Sequence, residues 1–193
     1  MITEADLPPA VDRMDVQGML AIGREHAMAP PTIDELRQAR AFASKLMDHE
    51  VVSLETLVSV QAIQPASTLV FKEEGRVTGV AGQLILNSST IRPLLAGDFD
   101  ALNVDPAFLA RDGELVALGY AWGIAASTKA GGQAIGGFNH LMRERLFPHI
   151  AGFTRAVTPI GRHVAATRYG YVPLRHDDDD LMIAIPGREA VAA

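Results

Sequence analysis

The sequence predicts an α+β fold, and three stretches of the chain carry this prediction. Residues 114–146 read as a long apolar strand, a short glycine-containing bend and a helix with helical apolar spacing. Residues 68–86 read as two strands joined by a tight turn, in which Gly75 supplies the positive φ that such turns require. From Leu36 to about Met47, apolar side chains recur at three-and-four spacing, which predicts a half-buried helix.

Length and composition limit the classes of protein to which the chain can belong. With 193 residues, 48% of them hydrophobic, we expect one domain over residues 1–193 with a core of its own. The chain has no cysteine, which excludes disulfides, thiolate metal sites and a cysteine nucleophile. The net charge of −6 argues against nucleic-acid or anionic-membrane partners. No apolar stretch is long enough to cross a bilayer, so we expect a cytoplasmic protein.

The first third of the chain predicts helices. Pairs of prolines bracket a first helix over about residues 16–26. Thr32 or Asp34 can serve as the N-cap of a second helix that ends at about Met47. Residues 53–60 fit either a third helix capped by their serine or a strand, and the pattern leaves both open.

The remaining elements are predicted from the prolines and glycines that interrupt the chain and from the alternation of apolar and polar residues. Prolines and glycines divide the apolar residues 88–113 into two helical turns, which could cap a substrate cleft, form a dimer contact or simply shield the core. Residues 153–157 alternate like a strand, and residues 160–169 fit a short helix. Residues 170–174 and 181–185 then predict two strands whose connection holds four aspartates.

The bend after the long apolar strand is the strongest candidate for a binding site. Its small residues let a ligand approach the backbone, and the first amides of the following helix point outward with partial positive charge. The run from Lys129 to Ala134, Lys-Ala-Gly-Gly-Gln-Ala, fits neither a dinucleotide fingerprint nor a P-loop. The alternative is a glycine-rich turn that only packs a helix on a strand.

This run has the pattern of a basic or amide residue followed by x-x-G-x-[G/A], and it resembles the acyl-CoA pyrophosphate loop of the GNAT acyltransferase superfamily. The Tyr-Gly-Tyr-Val-Pro segment at residues 169–173 resembles the glycine-aromatic ending of the same family. The order of elements also agrees over residues 68–185. The resemblance implies a three-layer fold, in which helices flank a mixed, mostly antiparallel sheet with a splayed fourth and fifth strand pair, and it makes residues 88–113 an insertion.

The resemblance further implies an N-acyltransferase that uses an acyl-CoA, most simply acetyl-CoA, as co-substrate and no metal. The acceptor would be a small-molecule amine or an amino terminus. The pantetheine arm would pair with backbone groups near Ile124 and Ala126 in the gap between the splayed strands. The cofactor's phosphates would meet the loop residues Lys129, Ala130, Gly131, Gly132, Gln133 and Ala134.

The sequence departs from the family where proton transfer is usually carried out. Ala166 stands in place of the usual tyrosine, Leu118 in place of a carboxylate that some members carry, and Thr158-Pro159 in place of a common asparagine. His163 could substitute as the thiolate acid, or it could be an exposed histidine. Tyr120 could line the acceptor pocket, or it could be core. A non-catalytic acyl-CoA-binding module of the same fold is therefore the alternative to an enzyme.

His176 and the four aspartates that follow it invite a metal hypothesis, but they lack the glycine and alternation of a calcium loop. We interpret Asp177 to Asp180 as a solvated loop and assign no metal.

Overall fold

A seven-stranded mixed sheet forms the centre of the protein in a computed structural model that describes residues 2–47, 51–175 and 178–187. The strands are β1 (Met28–Ala29), β2 (Thr68–Glu73), β3 (Arg76–Leu86), β4 (Leu118–Ala126), β5 (Ala151–Arg155), β6 (Val172–Arg175) and β7 (Asp178–Ala184). The α-helices are α1 (Val16–Glu25), α2 (Ile33–Met47), α3 (Leu54–Ile63), α4 (Ile91–Ala96), α5 (Lys129–Leu141) and α6 (Pro159–Tyr169). Short 3₁₀ turns lie at Glu4–Asp6, Ser88–Thr90 and Pro106–Phe108, and a π-helical turn at Met142–Leu146.

The strand order is β1-β2-β3-β4-β5-β7-β6, and β4 and β5 pair in parallel while the other neighbouring pairs are antiparallel. The prediction of a mixed, mostly antiparallel sheet is therefore confirmed. No pattern in the sequence predicts β1, because its two paired residues are too few to show alternation.

Helices cover both faces of the sheet, because alternate residues of each strand point to opposite sides. Leu69 of β2 packs with α1 and α5, whereas its neighbour Val70 packs with α2. Val60 of α3 and Leu94 of α4 belong to a further core cluster with β3, β4 and β5. The three-layer arrangement follows.

The predicted helix starts are present and are capped by side chains. The Thr32 amide donates to Glu35 Oε2 at 2.7 Å and the Glu35 amide donates to Thr32 Oγ1 at 3.3 Å, which forms a capping box at the start of α2. Ser53 Oγ accepts a hydrogen bond of 3.0 Å from the Thr56 amide. Residues 53–60 therefore belong to a helix, and the strand alternative is wrong.

Three predicted boundaries move. β4 begins at Leu118, three residues after the first apolar residue of its run, and β5 covers Ala151–Arg155 where we expected residues 153–157. The amide of Ala156 donates to the backbone carbonyl of Asp180 at 2.8 Å, and the chain then turns into α6. The interpretation of Asp177 to Asp180 as a loop is wrong from Asp178 onward, because β7 begins there in register with β6. His176 and Asp177 lie outside the described residues.

Within the described ranges, no helix is both long and apolar enough to span a membrane. No cluster of three or more potential metal ligands occurs there either.

Candidate functional site

The parallel strands β4 and β5 pair over only part of their length. Their register runs from Leu118 opposite Ala151 to Ala121 opposite Thr154. At the last paired position, Thr154 Oγ1 donates to the Ala121 carbonyl at 3.2 Å. β4 then continues from Trp122 to its end without a β5 partner. The two strands therefore part in the middle of the sheet, and the predicted splay is confirmed.

A β-bulge in β4 lies at the point where the strands part. Gly82 of β3 faces Gly123, and Gln83 faces Ala121, so Trp122 is an extra residue in β4. A Cβ at position 82 would lie only 3.2 Å from the Gly123 nitrogen and 3.3 Å from its oxygen. Because glycine has no Cβ, residue 82 leaves space for the bulged backbone at Gly123. Because a bulge bends its strand and increases its twist, it gives a local cause for the separation of β4 from β5.

Immediately after β4, the chain turns into the N-terminus of α5. Thr128 is the N-cap, and its Oγ1 accepts a hydrogen bond of 3.1 Å from the Gly131 amide. The Gly132 amide donates to the Thr128 carbonyl at 3.0 Å and begins the helical ladder. Within the described chain, the amides of Lys129 and Ala130 have no hydrogen-bond partner. This helix end therefore keeps two free donors and partial positive charge.

The two adjacent glycines of the bend have different roles. Gly131 is buried, and a Cβ there would lie 3.0 Å from the Thr78 carbonyl oxygen. Gly132 is exposed, and an added Cβ would meet only the Ala126 side chain at 4.0 Å. Gly131 thus packs the helix on β3, as the structural alternative for this bend requires. Gly132 leaves an open approach to the backbone, as the binding hypothesis requires.

A carboxylate that the sequence analysis did not single out stands beside this helix end. Thr128 Oγ1 donates to Glu73 Oε2 at 2.7 Å, and Thr78 Oγ1 donates to the same oxygen at 2.8 Å. These hydrogen bonds hold the pKa of the Glu73 carboxyl below its ordinary value, and the one from Thr128 has the largest effect. Glu73 comes from the β2–β3 hairpin, so no local pattern in the sequence signals this contact.

A cavity of about 530 Å³ opens on the α2 face of the sheet beside the parted strands. Trp122 and Gly123 of β4 line it on one side, and Arg155 at the end of β5 and Val157 shortly after it line it on the other. Its walls are mostly aliphatic and aromatic, and its depth is formed by buried residues of α2, α3 and β2 to β4. These deep residues are Leu36, Ala39, Ala43, Leu57, Thr68, Val80 and Tyr120.

Residues 88–113 supply one wall of this cavity. Leu94, Phe99 and Ala101 line it. The Trp122 indole Nε1 donates to the Ala101 carbonyl at 2.6 Å, and the rings of Phe99 and Tyr120 lie 5.3 Å apart. Of the three roles considered for this segment, its position beside the cavity supports the cap, whereas a dimer contact stays a prediction.

The described charged residues that line the cavity lie at least partly in solvent and carry both signs. They are Arg40, Asp100, Arg155 and Asp180. Asp100 accepts hydrogen bonds from the Asn103 side chain and from backbone amides, which hold its pKa below the ordinary value. Asp180 pairs with Arg162. Both acids therefore already have partners.

The predicted binding residues fall into two groups. Lys129, Ala130, Gly132 and Gln133 are exposed at the start of α5, whereas Gly131 and Ala134 are buried there. Ile124, with 43% of its surface exposed, and the half-buried Ala126 lie on the part of β4 that has no β5 partner. The unpaired edge of β4 and the open N-terminus of α5 are thus contiguous.

The two predicted catalytic residues are not brought together. Tyr120 is buried and lines the cavity. His163 is exposed on α6 and is not among the residues that line the cavity, so its role in proton transfer stays a prediction. Sequence reasoning missed Thr68, a second cavity residue, because its pairing with β3 rather than its local pattern reveals it.

Proteins similar to this chain are found among solved structures. No protein-family model matches this chain, and a search of curated proteins finds no match. Among solved structures, the chain is similar to Ard1 from Thermoplasma volcanium, with a TM-score of 0.49 and 11% identity, covering 83% of this chain and 97% of that one. It is also similar to a protein from Bordetella pertussis assigned to the GnaT-family acetyltransferases, with a TM-score of 0.43 and 15% identity, covering 81% of this chain and 92% of that one.

The fold is GNAT-like. This assignment rests on the strand order of the chain itself, on the single parallel pair among the described strands and on the way that pair parts beside a glycine-containing helix start. It agrees with the fold that the sequence resemblance implied. In this GNAT-like fold, the cavity and the open helix end lie on either side of the same strand segment.

Proposed function

We propose that the protein is an acyl-CoA-dependent N-acyltransferase that uses acetyl-CoA and transfers the acyl group directly to an amine. The observation that carries the proposal is the continuity of the β4–α5 segment. One stretch of chain presents an unpaired strand edge from Trp122 to Ala126 and then a helix start with free amides at Lys129 and Ala130. These are the two features that an extended ligand with a diphosphate at one end needs.

The diphosphate would bind at the start of α5. Backbone amides and the helix dipole favour anions there, and no basic side chain is required. Lys129 is exposed beside the free amides and has no ion-pair partner among the described residues, so it can add a positive charge. The open surface over Gly132 would let the phosphates reach the backbone.

The pantetheine arm would lie along the unpaired edge of β4. Its amide groups can hydrogen-bond to the backbone there as an added strand would, and Ile124 offers an exposed apolar side chain. The thioester would then lie where β4 and β5 part, near Ala121 and Thr154. The cavity reaches this place from the α2 face, so an amine within it can approach the thioester.

The reaction itself requires positioning and proton transfer. The amine nitrogen attacks the thioester carbonyl, a C–N bond forms, the C–S bond breaks, the amine gives up a proton and the CoA thiolate gains one. Holding the two reactants in this geometry supplies much of the rate enhancement, so the reaction can proceed with a weak acid or with water as the proton donor. Tyr120 is the candidate donor that lines the cavity.

A non-catalytic acyl-CoA-binding module is the second candidate. It is favoured by one observation on α6, where the family usually carries its tyrosine: His163 and Ala166 are both exposed there, and neither lines the cavity. This protein would bind the cofactor at the same strand edge and helix end without transferring the acyl group.

Two measurements test these proposals in sequence. We expect acetyl-CoA and CoA each to raise the melting temperature at concentrations far above a micromolar dissociation constant, because each would bind only the folded protein. Absence of any shift contradicts both candidates. Release of free thiol from acetyl-CoA across a panel of amines then separates them, since only the enzyme produces CoA in an amine-dependent manner.

A further inference from the structure

The deep part of the cavity presents little polar surface. The side chains that α2 and α3 contribute to it are aliphatic, and so is Val80 of β3. Of the two hydroxyl groups among the deep residues, that of Thr68 is buried and offers the cavity no polar surface. The other belongs to Tyr120, the candidate proton donor. A ligand that enters this part therefore exchanges water for apolar contacts along most of its length.

The charged residues at the edge of the cavity do not favour a charged ligand of either sign. They are two arginines and two aspartates, Arg40, Asp100, Arg155 and Asp180, and all four lie at least partly in solvent. Asp100 and Asp180 already have partners, and Arg40 Nε donates to the Val52 carbonyl at 2.9 Å. A charge buried deeper would have no ion partner among the described lining residues, which is costly.

Two glycines form the floor of the cavity beside the point where β4 and β5 part. Gly82 of β3 lies opposite Gly123 of β4, and both line the cavity. Ala125, two residues beyond Gly123, packs in the core cluster that contains residues of α2. Because alternate residues of a strand point to the same face, a side chain at position 123 would also point towards the α2 face, where the cavity lies.

Gly123 is not explained by the structure of the protein alone. A Cβ at Gly82 would lie 3.2 Å from the Gly123 nitrogen, but a Cβ at Gly123 would meet no described atom within 4 Å. The φ of Gly123 also lies outside the left-handed region that favours glycine. Neither the described packing nor the backbone conformation thus requires glycine here, and the missing side chain leaves space in the cavity.

We propose that the acceptor is a small primary amine with an uncharged, apolar body, and that Gly123 determines how large this body can be. The inference rests on the proposed function, since it places the amino group where β4 and β5 part and the body in the deep part of the cavity. The volume of about 530 Å³ lies in the range of sites for small molecules. A small-molecule amine is thereby favoured over the amino terminus of a protein.

Three amines of equal length test the apolar character of the acceptor. Hexylamine, aminopentanol and cadaverine end in a methyl, a hydroxyl and a second amino group. With acetyl-CoA as donor, we expect hexylamine to exceed the other two at least tenfold in kcat/KM, because their polar ends would lose water without gaining a partner. Each methylene added from ethylamine to pentylamine should raise kcat/KM roughly fourfold, the effect of burying one CH₂ group.

Substitution of Gly123 tests its role in size selection. Gly123→Ala should reduce the advantage of hexylamine over ethylamine, and Gly123→Val should reduce it further, at least tenfold in total. Comparing two amines on one variant cancels any change in CoA binding that affects both. The melting temperature should not drop, because the added Cβ meets no described atom within 4 Å and valine suits a strand.

Gly119→Ala is the control for Gly123→Ala. Gly119 lies on the same strand, but it is not among the residues that line the cavity, and its Cβ would meet only the end of the Ile150 side chain. The advantage of hexylamine over ethylamine should therefore persist in this variant.

The only tryptophan of the chain separates this inference from the proposed function. Trp122 lines the cavity, so a titration followed by its fluorescence measures amine binding without acyl transfer. Tighter binding of hexylamine than of aminopentanol and cadaverine, reduced in Gly123→Val, supports the inference even where no transfer is detected. Transfer that prefers aminopentanol, cadaverine or a peptide amino terminus overturns it and leaves the proposed function standing. It is also overturned if hexylamine neither binds nor reacts, or if Gly123→Val leaves the preference unchanged.

Discussion

The hydroxyl of Thr128 links the start of α5 to the carboxylate of Glu73, accepting from the Gly131 amide at 3.1 Å and donating to Glu73 Oε2 at 2.7 Å. The proposed diphosphate site thus has the negative side chain of Glu73 on the side that faces the β2–β3 hairpin. The free amides of Lys129 and Ala130 attract an anion, while Glu73 repels one. Affinity for the cofactor should reflect the difference between these two effects.

Replacing Glu73 with Gln should therefore strengthen CoA binding. The change removes one negative charge beside the proposed diphosphate site and keeps an oxygen that can accept a hydrogen bond from Thr128. We expect the dissociation constant for CoA to fall roughly threefold at low salt, and less at high salt, because the charge is partly in solvent. Titration calorimetry at two ionic strengths measures this.

Glu74→Gln provides the control. It removes the same charge from the next residue of the hairpin, which makes no hydrogen bond to Thr128. A gain in affinity as large as that of Glu73→Gln would show that only net charge matters and that the Thr128 contact does not.

The same contact predicts a pH dependence of stability. Hydrogen bonds from Thr128 and Thr78 lower the pKa of Glu73 in the folded state, so they stabilise the fold above the unfolded pKa of about 4.5. This contribution is lost as the pH falls through the lowered folded pKa. Wild type should exceed Glu73→Gln in melting temperature at pH 7, and the difference should shrink at pH 3. A difference that grows on acidification contradicts the assignment.

The adjacent glycines of the bend should respond differently to substitution. Gly132→Val places its side chain in the open approach to the backbone, so CoA binding should weaken at least tenfold while the melting temperature stays within a few degrees. Gly131→Ala places a methyl group 3.0 Å from the Thr78 carbonyl, which should cost about 1–3 kcal/mol of folding free energy. Thermal melts and CoA titrations on both variants check this. Unchanged CoA affinity in Gly132→Val would show that the bend is only structural.

The elements that could be predicted from the sequence are those whose signals are local. The β2–β3 hairpin follows from Gly75 between alternating residues, and the β4–α5 segment follows from an apolar run and a glycine-containing bend. Contacts between distant segments could not be predicted in this way. Glu73 meets Thr128 across 55 positions, and Thr68 aligns with Gly123 only through the register of three strands.

The strand bulge was only partly foreseeable. Gly82 inside a strand pattern indicates a bend or bulge, but the sequence does not show that the extra residue is Trp122 in the neighbouring strand. The sequence also does not show that residues 88–113 are attached to β4 by a hydrogen bond from the Trp122 indole to the Ala101 carbonyl. Both features depend on packing between segments that lie apart in the chain.

Gly82→Ala tests whether the bulge is needed for function. The added Cβ would press on the Gly123 backbone from 3.2 Å, so we expect a loss of about 1–3 kcal/mol in stability and a lower kcat/KM for acyl transfer. Gly119→Ala is the control on β4, since its Cβ meets only the end of the Ile150 side chain at 3.2 Å, which can move. Chemical denaturation and steady-state kinetics measure the two effects. Equal losses in both variants would mean that the position of the bulge has no special role.

Trp122→Phe tests the attachment of the cap. The change keeps an aromatic wall but removes the 2.6 Å hydrogen bond to the Ala101 carbonyl, which should cost about 1 kcal/mol locally. Because Ala101 and Phe99 line the cavity and the proposed diphosphate site lies beyond Ala126, we expect a higher KM for the amine and an unchanged dissociation constant for CoA. Hydrogen exchange should rise in residues 97–104 but not in α5. If CoA binding weakens as much as amine binding, the indole supports the strand edge as a whole, and residues 88–113 are not a separate cap over the acceptor.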